Sequence, residues 1–389
     1  MPRRKGNQYA TIEFENYEEG TIAKISENVP ELTFRRPYMV GASGGEYAIF
    51  AGGNDESSYS VAATSQVDAY DKNLAHIVPA ELSVARQYIA ATTGENYTLF
   101  GGGHDYDGSV EYYFSTVDAY SMTLVHTTPT ELSESKRDVA ATTVGKYSLF
   151  AGGRTRETDF QTVDVYDNNL VHTTAGDLHH LNFAQAATTV GNYALIVSGY
   201  AIDAYNQNLV RMPFQYAPDY GNGVGPGTTV GNYALFNRPS RGPTVLVYTR
   251  DLVNITPISL NQERPDCAAT RLRSFALFGG GVASGATDIS TVEGFDNKLA
   301  RHQLENLYLS RVEVAATVGN YSLFPGSNSK INTYEYTLTE LNLELTLYKG
   351  TKYKFQGMDA EATVEADMET KTIATPATGY IKLKKVTLF

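Results

Sequence analysis

Two stretches in the middle of the chain decide its fold: residues 140–153, which read AATTVGKYSLFAGG, and residues 163–174, which read VDVYDNNLVHTT. The first begins with small residues, continues with an aromatic-x-apolar-apolar run and closes on two glycines. The second begins with Val-x-x-Tyr and passes through a polar turn to a leucine. Both patterns recur along most of the 389 residues, which indicates a repeat architecture.

The aromatic-x-apolar-apolar run occurs seven times, and its first residues lie 50, 50, 46, 40, 42 and 46 positions apart. The seven copies are Tyr47–Phe50, Tyr97–Phe100, Tyr147–Phe150, Tyr193–Ile196, Tyr233–Phe236, Phe275–Phe278 and Tyr321–Phe324. An apolar-x-x-aromatic run and then a leucine follow each copy, ending with Ile331–Tyr334 and Leu341 in the seventh. Agreement in seven registers excludes a chance pattern.

Each unit predicts four short strands. Strand A is the small-residue stretch, B the aromatic-x-apolar-apolar run, C the apolar-x-x-aromatic run and D the segment after the leucine. Val144-Gly145-Lys146-Tyr147 predicts a tight turn between strands A and B, and Asp167-Asn168-Asn169 predicts one between C and D. Small residues on strand A suit innermost strands that crowd around a channel. Four strands at this period are typical of a propeller blade. We therefore predict an all-β propeller of seven four-stranded blades, with six blades and a stray unit as the alternative.

The repeats divide the chain into an N-terminal segment (1–30), the propeller (31–348) and a small C-terminal β-module (349–389). The module has a net charge of +2, whereas residues 31–348 have a net charge of −13. The module is interpreted either as an assembly element or as strands that cap the last blade.

Composition excludes several classes of protein. The net charge of −12 argues against nucleic acid as a partner. No run approaches the roughly 18 apolar residues of a membrane helix, so we expect no membrane insertion. Cys267 is the only cysteine, which rules out a disulfide framework and a cysteine-based zinc site. The basic start leads into the alternating Tyr9–Phe14 and does not match a signal peptide.

The paired glycines after strand B and the Tyr-Asp pair further on resemble the kelch repeat. More narrowly, residues 140–153 and 163–174 resemble kelch-like arrays of tailed-phage and prophage virion proteins. The resemblance covers about residues 31–348. The chain departs from the pattern because it has no tryptophan, and because units 4, 5 and 7 lack the double glycine.

A basic residue recurs ahead of strand A in five units: Arg36, Arg86, Lys136, Arg264 and Arg311. Asn182 and Asn222 replace it in units 4 and 5. Such a ring near the channel rim would suit an anion. The structural alternative is that these side chains hold loop carbonyls and acidic groups together.

Three B–C loops are long, 54–66, 104–116 and 279–290, and two of them carry aromatic residues that suit protein or glycan surfaces. The candidate binding residues are Tyr59, His104, Asp105, Tyr106, Tyr112, Tyr113 and Phe114. The oxygen-rich segment 104–111 is compatible with calcium, but Asp107-Gly108 is first of all a turn signal. We predict no metal and no cofactor.

Our first hypothesis is a structural protein of a phage tail, baseplate or fibre, made in the host cytoplasm and present in several copies or as a homo-oligomer. Its propeller face would recognise a host surface protein or glycan, or another virion protein. A cellular kelch scaffold is the alternative. No nucleophile-elbow, P-loop or zinc-protease motif occurs, so we expect no enzyme, and a glycan-acting enzyme is the least favoured hypothesis.

Overall fold

The strands of the repeat form seven antiparallel four-stranded sheets, and the described residues contain no helix. The computed structural model of the chain describes residues 8–17, 20–25, 29–55, 62–180, 184–198, 201–213, 215–216, 224–240, 242–283, 287–308, 312–326, 328–338, 342–347, 351–356, 363–365, 369–374 and 380–388. The prediction of an all-β propeller with seven four-stranded blades is confirmed.

The strand bounds follow the repeat. Blade 1 comprises Val40–Gly44, Tyr47–Ala51, Val67–Asp71 and His76–Ile77. Blade 2 comprises Ala90–Thr93, Tyr97–Gly101, Val117–Ser121 and His126–Thr127. Blade 3 comprises Ala140–Val144, Tyr147–Ala151, Val163–Tyr166 and His172–Thr174. Blade 4 comprises Ala184–Val190, Tyr193–Ser198, Ala201–Asn206 and Gln215–Tyr216.

Blades 5 and 6 continue in the same order. Blade 5 comprises Gly227–Val230, Tyr233–Arg238, Thr244–Thr249 and Asn254–Ser259. Blade 6 comprises Ala268–Leu272, Phe275–Gly279, Val292–Asp296 and Arg301–Gln303. Two extra hairpins extend the B–C loops of blades 2 and 6: His104–Tyr106 with Glu111–Tyr113, and Val282–Ala283 with Thr287–Asp288.

Blade 7 is completed by the start of the chain. Its inner strands are Ala316–Val318, Tyr321–Pro325 and Ile331–Leu338, and its outer strand is Gly20–Ile25. The repeat pattern predicts that outer strand after Leu341, and this prediction is wrong, because Asn342–Leu347 pairs with Glu369–Ala374 instead. Strand pairing between the two ends of the repeat region fastens the ring, which a linear repeat pattern does not reveal.

The A strands form the inner wall of the ring. Each contacts the A strand of the next blade, and the A strand of blade 7 contacts that of blade 1. Threonine hydroxyls join neighbouring A strands at 2.9 Å, for example Thr142 with Thr189 and Thr188 with Thr229. Small side chains on strand A therefore serve close approach between blades.

The hydrophobic core lies between adjacent blades. Between blades 2 and 3, for example, Leu99 and Val117 pack with Phe150 and Tyr166. The buried tyrosine of strand C also fixes the linker that enters its blade, since the Tyr166 hydroxyl donates to the Thr130 carbonyl at 2.7 Å. In blade 3 the aromatic position of the repeat thus combines apolar burial with one hydrogen bond.

The C–D turn leucine is a second structural position of the repeat. Six of these leucines have left-handed backbone: Leu74, Leu124, Leu170, Leu209, Leu252 and Leu299. In blade 3, Asp167 Oδ1 accepts hydrogen bonds from the N–H groups of Asn169 and Val171, and Leu170 between them has a φ of 63°. The Leu170 side chain packs against the core cluster between blades 2 and 3, which offsets part of the backbone cost.

The chain divides into two compact units, Ala23–Glu335 on the one hand and Met1–Ile22 with Tyr336–Phe389 on the other. The second unit contains a four-stranded sheet. Its strand order is Thr363–Glu365, Thr351–Gln356, Gln8–Tyr17 and Tyr380–Leu388. Gln8–Tyr17 runs parallel to Thr351–Gln356 and antiparallel to Tyr380–Leu388, so both ends of the chain build this sheet.

Candidate functional site

The repeated basic residues lie inside their blades as ion pairs. Arg36 pairs with Asp68 at 2.5 Å, Arg86 with Asp118 at 2.7 Å, Lys136 with Asp164 at 3.0 Å and Arg264 with Glu293 at 2.9 Å. All eight side chains have no solvent exposure. These four cations therefore hold strand C to the segment ahead of strand A, and none of them faces an open channel rim. Arg311 lies outside the described residues.

The buried carboxylates of strand C are held ionised by this arrangement. Burial acts to raise the pKa of Asp118, but Arg86 and His126 together hold that pKa below its ordinary value. His126 Nε2 lies 2.6 Å from Asp118 Oδ1, and His76 and His172 make the same contact in blades 1 and 3. The repeated histidines of strand D are thus explained by the ion pairs.

The B–C loop of blade 2 is a β-hairpin that contacts the loop of blade 1. Asp105 Oδ1 accepts a hydrogen bond from the Ala63 N–H at 3.0 Å. Asp107 caps the hairpin turn, because its Oδ1 accepts from the N–H groups of Ser109 and Val110. Within the described residues, no group of three or more His, Cys, Asp and Glu side chains is placed to share a metal ion.

The aromatic residues of this hairpin differ in exposure. Tyr106 and Tyr112 are 41% and 48% exposed, and they are the open part of the predicted binding set. The Tyr113 hydroxyl donates to Glu111 at 2.6 Å, and Phe114 is half-buried, its N–H donating to the Gly103 carbonyl. Tyr59 lies outside the described residues.

A different set of residues surrounds the end of the channel. The position two residues after the repeated basic residue or its replacement lines a cavity in blades 1, 2, 5, 6 and 7. Left-handed backbone occurs at four of these positions: Tyr38, Tyr88, Asp138 and Asp266, with φ between 51° and 58°. The segment ahead of strand A pairs with the segment after strand B, as in the mutual hydrogen bonds of Gln87 and His104. The left-handed residue then turns the chain into strand A.

The cavity has a volume of about 550 Å³. This size lies within the range of organic ligand sites. The lining residues, here called the channel mouth, are Tyr38, Tyr88, Val224, Gly225, Pro226, Asp266, Cys267 and Glu313. Aromatic rings come from blades 1 and 2, carboxylates from blades 6 and 7, and small or apolar groups from blade 5.

Tyr88 contacts both an aromatic ring and a cation at the channel mouth. Its ring stacks on Tyr38 with 4.9 Å between centroids, and the Arg137 guanidinium lies 5.7 Å from the ring centroid. Burial raises the pKa of Tyr88 to about 12, with further contributions from Tyr38, Asp138 and Glu313. The phenol therefore stays protonated at neutral pH and can donate a hydrogen bond.

His104, Glu111 and Arg137 form a network of polar contacts beside the Tyr88 ring. His104, whose ring centroid is 5.2 Å from that of Tyr88, has Nδ1 at 2.8 Å from Glu111 Oε1. Burial and the nearby Arg137 lower the pKa of His104, so the imidazole is neutral at pH 7. Arg137 Nε lies 3.1 Å from the same Glu111 oxygen. His104 thus belongs to the support of the channel mouth, whereas the exposed hairpin tyrosines lie outside its lining.

The channel mouth was not predicted, and its only mark in the sequence is the variability of one repeat position. The residue two positions after the basic position reads Tyr, Tyr, Asp, Ala, Val, Asp and Glu in units 1 to 7. At this position the fold fixes the backbone, whereas the type of side chain differs from blade to blade.

Comparison with known proteins supports the fold and goes no further. No protein-family model matches the sequence, and a comparison with curated proteins gave no match. The structure is similar to that of YjhT, with a TM-score of 0.53 and 10% identity over 72% of this chain and 100% of the other. It is similar to the structure of streptogramin B lyase, with a TM-score of 0.56 and 8% identity over 82% and 98% of the two chains. Both similar structures are propellers.

The expectation that this chain is not an enzyme is corrected by the second comparison. The streptogramin B lyase structure aligns with 82% of this chain and is named as an enzyme, so a propeller of this architecture is compatible with catalysis. At 8% identity the likeness shows the fold alone. In the part of the chain that the structure describes, no helix has the length and apolar character that crossing a membrane requires.

Proposed function

We propose that this chain is a recognition module of a tailed-phage or prophage virion, and that it binds its partner through the channel mouth. The partner is a host surface component or another virion protein. The observation that carries the binding role is the cavity of about 550 Å³ at the end of the channel, which five of the seven blades line. Rigid blades fix the backbone of this site, while the side chains at the mouth vary from blade to blade.

The stacked pair of Tyr38 and Tyr88 supports recognition of a partner. Both rings are more than one third exposed, at 36% and 38%, although they contact each other. Tyrosine provides apolar area and a hydroxyl at low cost in side-chain entropy, which suits binding surfaces. Two such rings held in place before binding reduce the entropy that association would otherwise cost.

The virion role is supported by the kelch-like resemblance of residues 140–153 and 163–174 and by the second compact unit. The four-stranded sheet of that unit is built from both ends of the chain, and its strands do not belong to the repeat. We assign it to attachment of the propeller to the particle. Several copies on one particle would convert weak single contacts into firm attachment.

The binding role is tested with the labelled full-length chain and cells of the strain whose genome encodes it. We expect surface binding that Tyr38→Ala and Tyr88→Ala each weaken at least about tenfold, as truncation of an aromatic anchor does. Tyr308→Ala serves as the matched control, because Tyr308 is 67% exposed and does not line the cavity. Equal binding by the wild type and both mouth variants would overturn the proposed binding site.

The virion role has its own test. Antibodies against the chain should label the tails of particles induced from the same strain, and light scattering should give the full-length chain a mass of more than one copy. Particles without label, together with a monomeric chain in the cytoplasm, would instead favour a cellular scaffold.

A further inference from the structure

The channel mouth has a distinct charge. Among its eight lining residues the ionisable side chains are Asp266, Glu313, the two tyrosines and Cys267, and none is basic. The described basic repeat residues of these blades, Arg36, Arg86 and Arg264, form buried ion pairs with acids of strand C. Arg137, which lies near Tyr88, is also engaged with an acid, Glu111, and Arg154 pairs with Asp138 at 2.8 Å.

The two carboxylates and the tyrosine pair come from two different pairs of blades. Asp266 and Glu313 belong to blades 6 and 7, whereas Tyr38 and Tyr88 belong to blades 1 and 2. Blade 7 is next to blade 1, so the acidic and aromatic sectors adjoin. The influence of Glu313 on Tyr88 agrees with this adjacency. A negative wall beside aromatic faces attracts a cation both by charge and through the ring quadrupole.

The cavity also limits the kind of cation. A volume of about 550 Å³ is too large for a bare ion and fits an organic group. Val224 and Pro226 add apolar surface for the carbon stem of such a group. The negative charges of Asp266 and Glu313 would repel a phosphate or carboxylate ligand. The arginines that could pair with such an anion, Arg86 and Arg264, are fully buried.

We infer that the channel mouth binds an organic cation, a protonated amine or a guanidinium group presented by the partner. This inference rests on the binding site proposed above and names its ligand class. The carboxylates of Asp266 and Glu313 neutralise the charge, and the exposed face of the tyrosine pair receives the cationic head. A lysine or arginine side chain of a partner protein has this chemistry, and so does the amine of a small polyamine.

The inference is tested by calorimetry on the full-length chain at low ionic strength. The probes are trilysine amide, spermidine, the neutral sugar maltotriose and triglutamate. We expect trilysine to bind, with an affinity that falls as salt is added, and we expect no binding of triglutamate. Stronger binding of trilysine than of spermidine assigns the cation to a peptide, and the reverse assigns it to a polyamine.

Charge-removing variants locate the site. Glu313→Gln and Asp266→Asn should each weaken trilysine binding about tenfold. Tyr38→Leu should weaken it about threefold to tenfold. The asparagine variant suits position 266, where φ is 52°, because asparagine tolerates left-handed backbone. Glu46→Gln is the matched control, since Glu46 is an exposed acid near Lys72 and does not line the cavity.

The possible failures are distinguishable. Maltotriose binding tighter than trilysine, or equal trilysine binding by wild type and both acid variants, would overturn the cation assignment. If the tyrosine variants still abolish binding to cells in that case, the proposed function stands with another ligand. If the tyrosine variants bind cells as the wild type does, the proposed function fails whatever the calorimetry shows. Circular dichroism melting of each variant checks that the propeller is intact.

Discussion

The Nη2 atom of Arg86 lies 2.7 Å from Oδ2 of Asp118, and neither side chain is exposed to solvent. Arg86 also donates to the carbonyls of Gly102, Val84 and Phe100, so its guanidinium joins strands B and C to the segment ahead of strand A. The same pairing in blades 1, 3 and 6 makes it the polar element that repeats in the propeller.

Replacing Arg86 alone should be severely destabilising. Arg86→Met leaves the Asp118 carboxylate buried without its cation, and removal of one partner of a buried pair costs about 3–5 kcal/mol. The free energy of unfolding, measured by urea denaturation at pH 7, should fall by that amount.

The chain itself supplies the compensating change. Blade 5 has Asn222 at the basic position and Leu246 at the acidic one, so a blade of this propeller forms without the pair. The double variant Arg86→Met/Asp118→Leu should therefore recover at least half of the loss. A double variant that is less stable than Arg86→Met would contradict this account of the pair as a structural element.

The fold was predictable from the sequence because every unit repeats the residues that form it. Strand A threonines, strand C tyrosines and the glycines after strand B recur in register, and each is fixed by local packing or by backbone geometry. The outer strand of blade 7 was not predictable in this way, because Gly20–Ile25 lies outside the repeat and pairs across more than 300 positions of sequence.

The candidate site, unlike the fold, could not be predicted from repeated residues. The basic residue represented by Arg86 recurs because it forms a structural ion pair. Its recurrence also matched the pattern expected of a ring of basic residues that binds an anion. Tyr38 and Asp266 occupy the equivalent position of different blades and share no chemistry, so the variability of that repeat position is their only mark in the sequence. Only the closed ring, which brings blades 1, 2, 5, 6 and 7 to one cavity, identifies them together.

The strand C tyrosine of blade 3 should contribute one measurable hydrogen bond. Tyr166→Phe removes the donor to the Thr130 carbonyl, which is 2.7 Å away, while keeping the buried ring. A loss of about 1 kcal/mol in the free energy of unfolding is expected. Blade 6 has Phe295 at this position, so the variant should fold. A loss above 3 kcal/mol would mean that the hydroxyl does more than hold the linker.

Asp203 should destabilise the propeller at neutral pH. It occupies the acidic position of blade 4, where Asn182 replaces the cation, and within the described residues it accepts one hydrogen bond, from the His179 N–H at 3.0 Å. Burial raises its pKa, in contrast to the lowered pKa of Asp118. A carboxyl whose pKa is raised on folding favours the folded state below its unfolded pKa of about 3.9, and this contribution is lost as pH rises through the folded value.

Asp203→Asn should therefore stabilise the chain at pH 7.5 by about 1–3 kcal/mol, because it removes a charge from a buried site. At pH 3.5 the gain should vanish, since the wild-type carboxyl is then protonated. Thermal melting of both proteins across this pH range measures the difference. Asp118→Asn should behave oppositely and lose stability at pH 7.5, where the ionised carboxylate pairs with Arg86. A gain from Asp203→Asn that is the same at both pH values would exclude titration as its cause.

The thiol of Cys267 should be unreactive in the folded protein although it lines the channel mouth. Its exposure is 2%, Asn237 Nδ2 donates to its Sγ at 3.3 Å, and burial raises its pKa to about 12. The thiolate fraction at pH 8 is then on the order of 10³ smaller than that of an ordinary cysteine. Labelling with an aromatic disulfide should be at least roughly 100-fold slower in the native chain than in urea. Since Cys267 is the only cysteine, the absorbance of the released thiolate reports this site alone. Native labelling as fast as in urea would mean that the wall of the cavity at blade 6 opens, and that its backbone is not held rigid for a ligand.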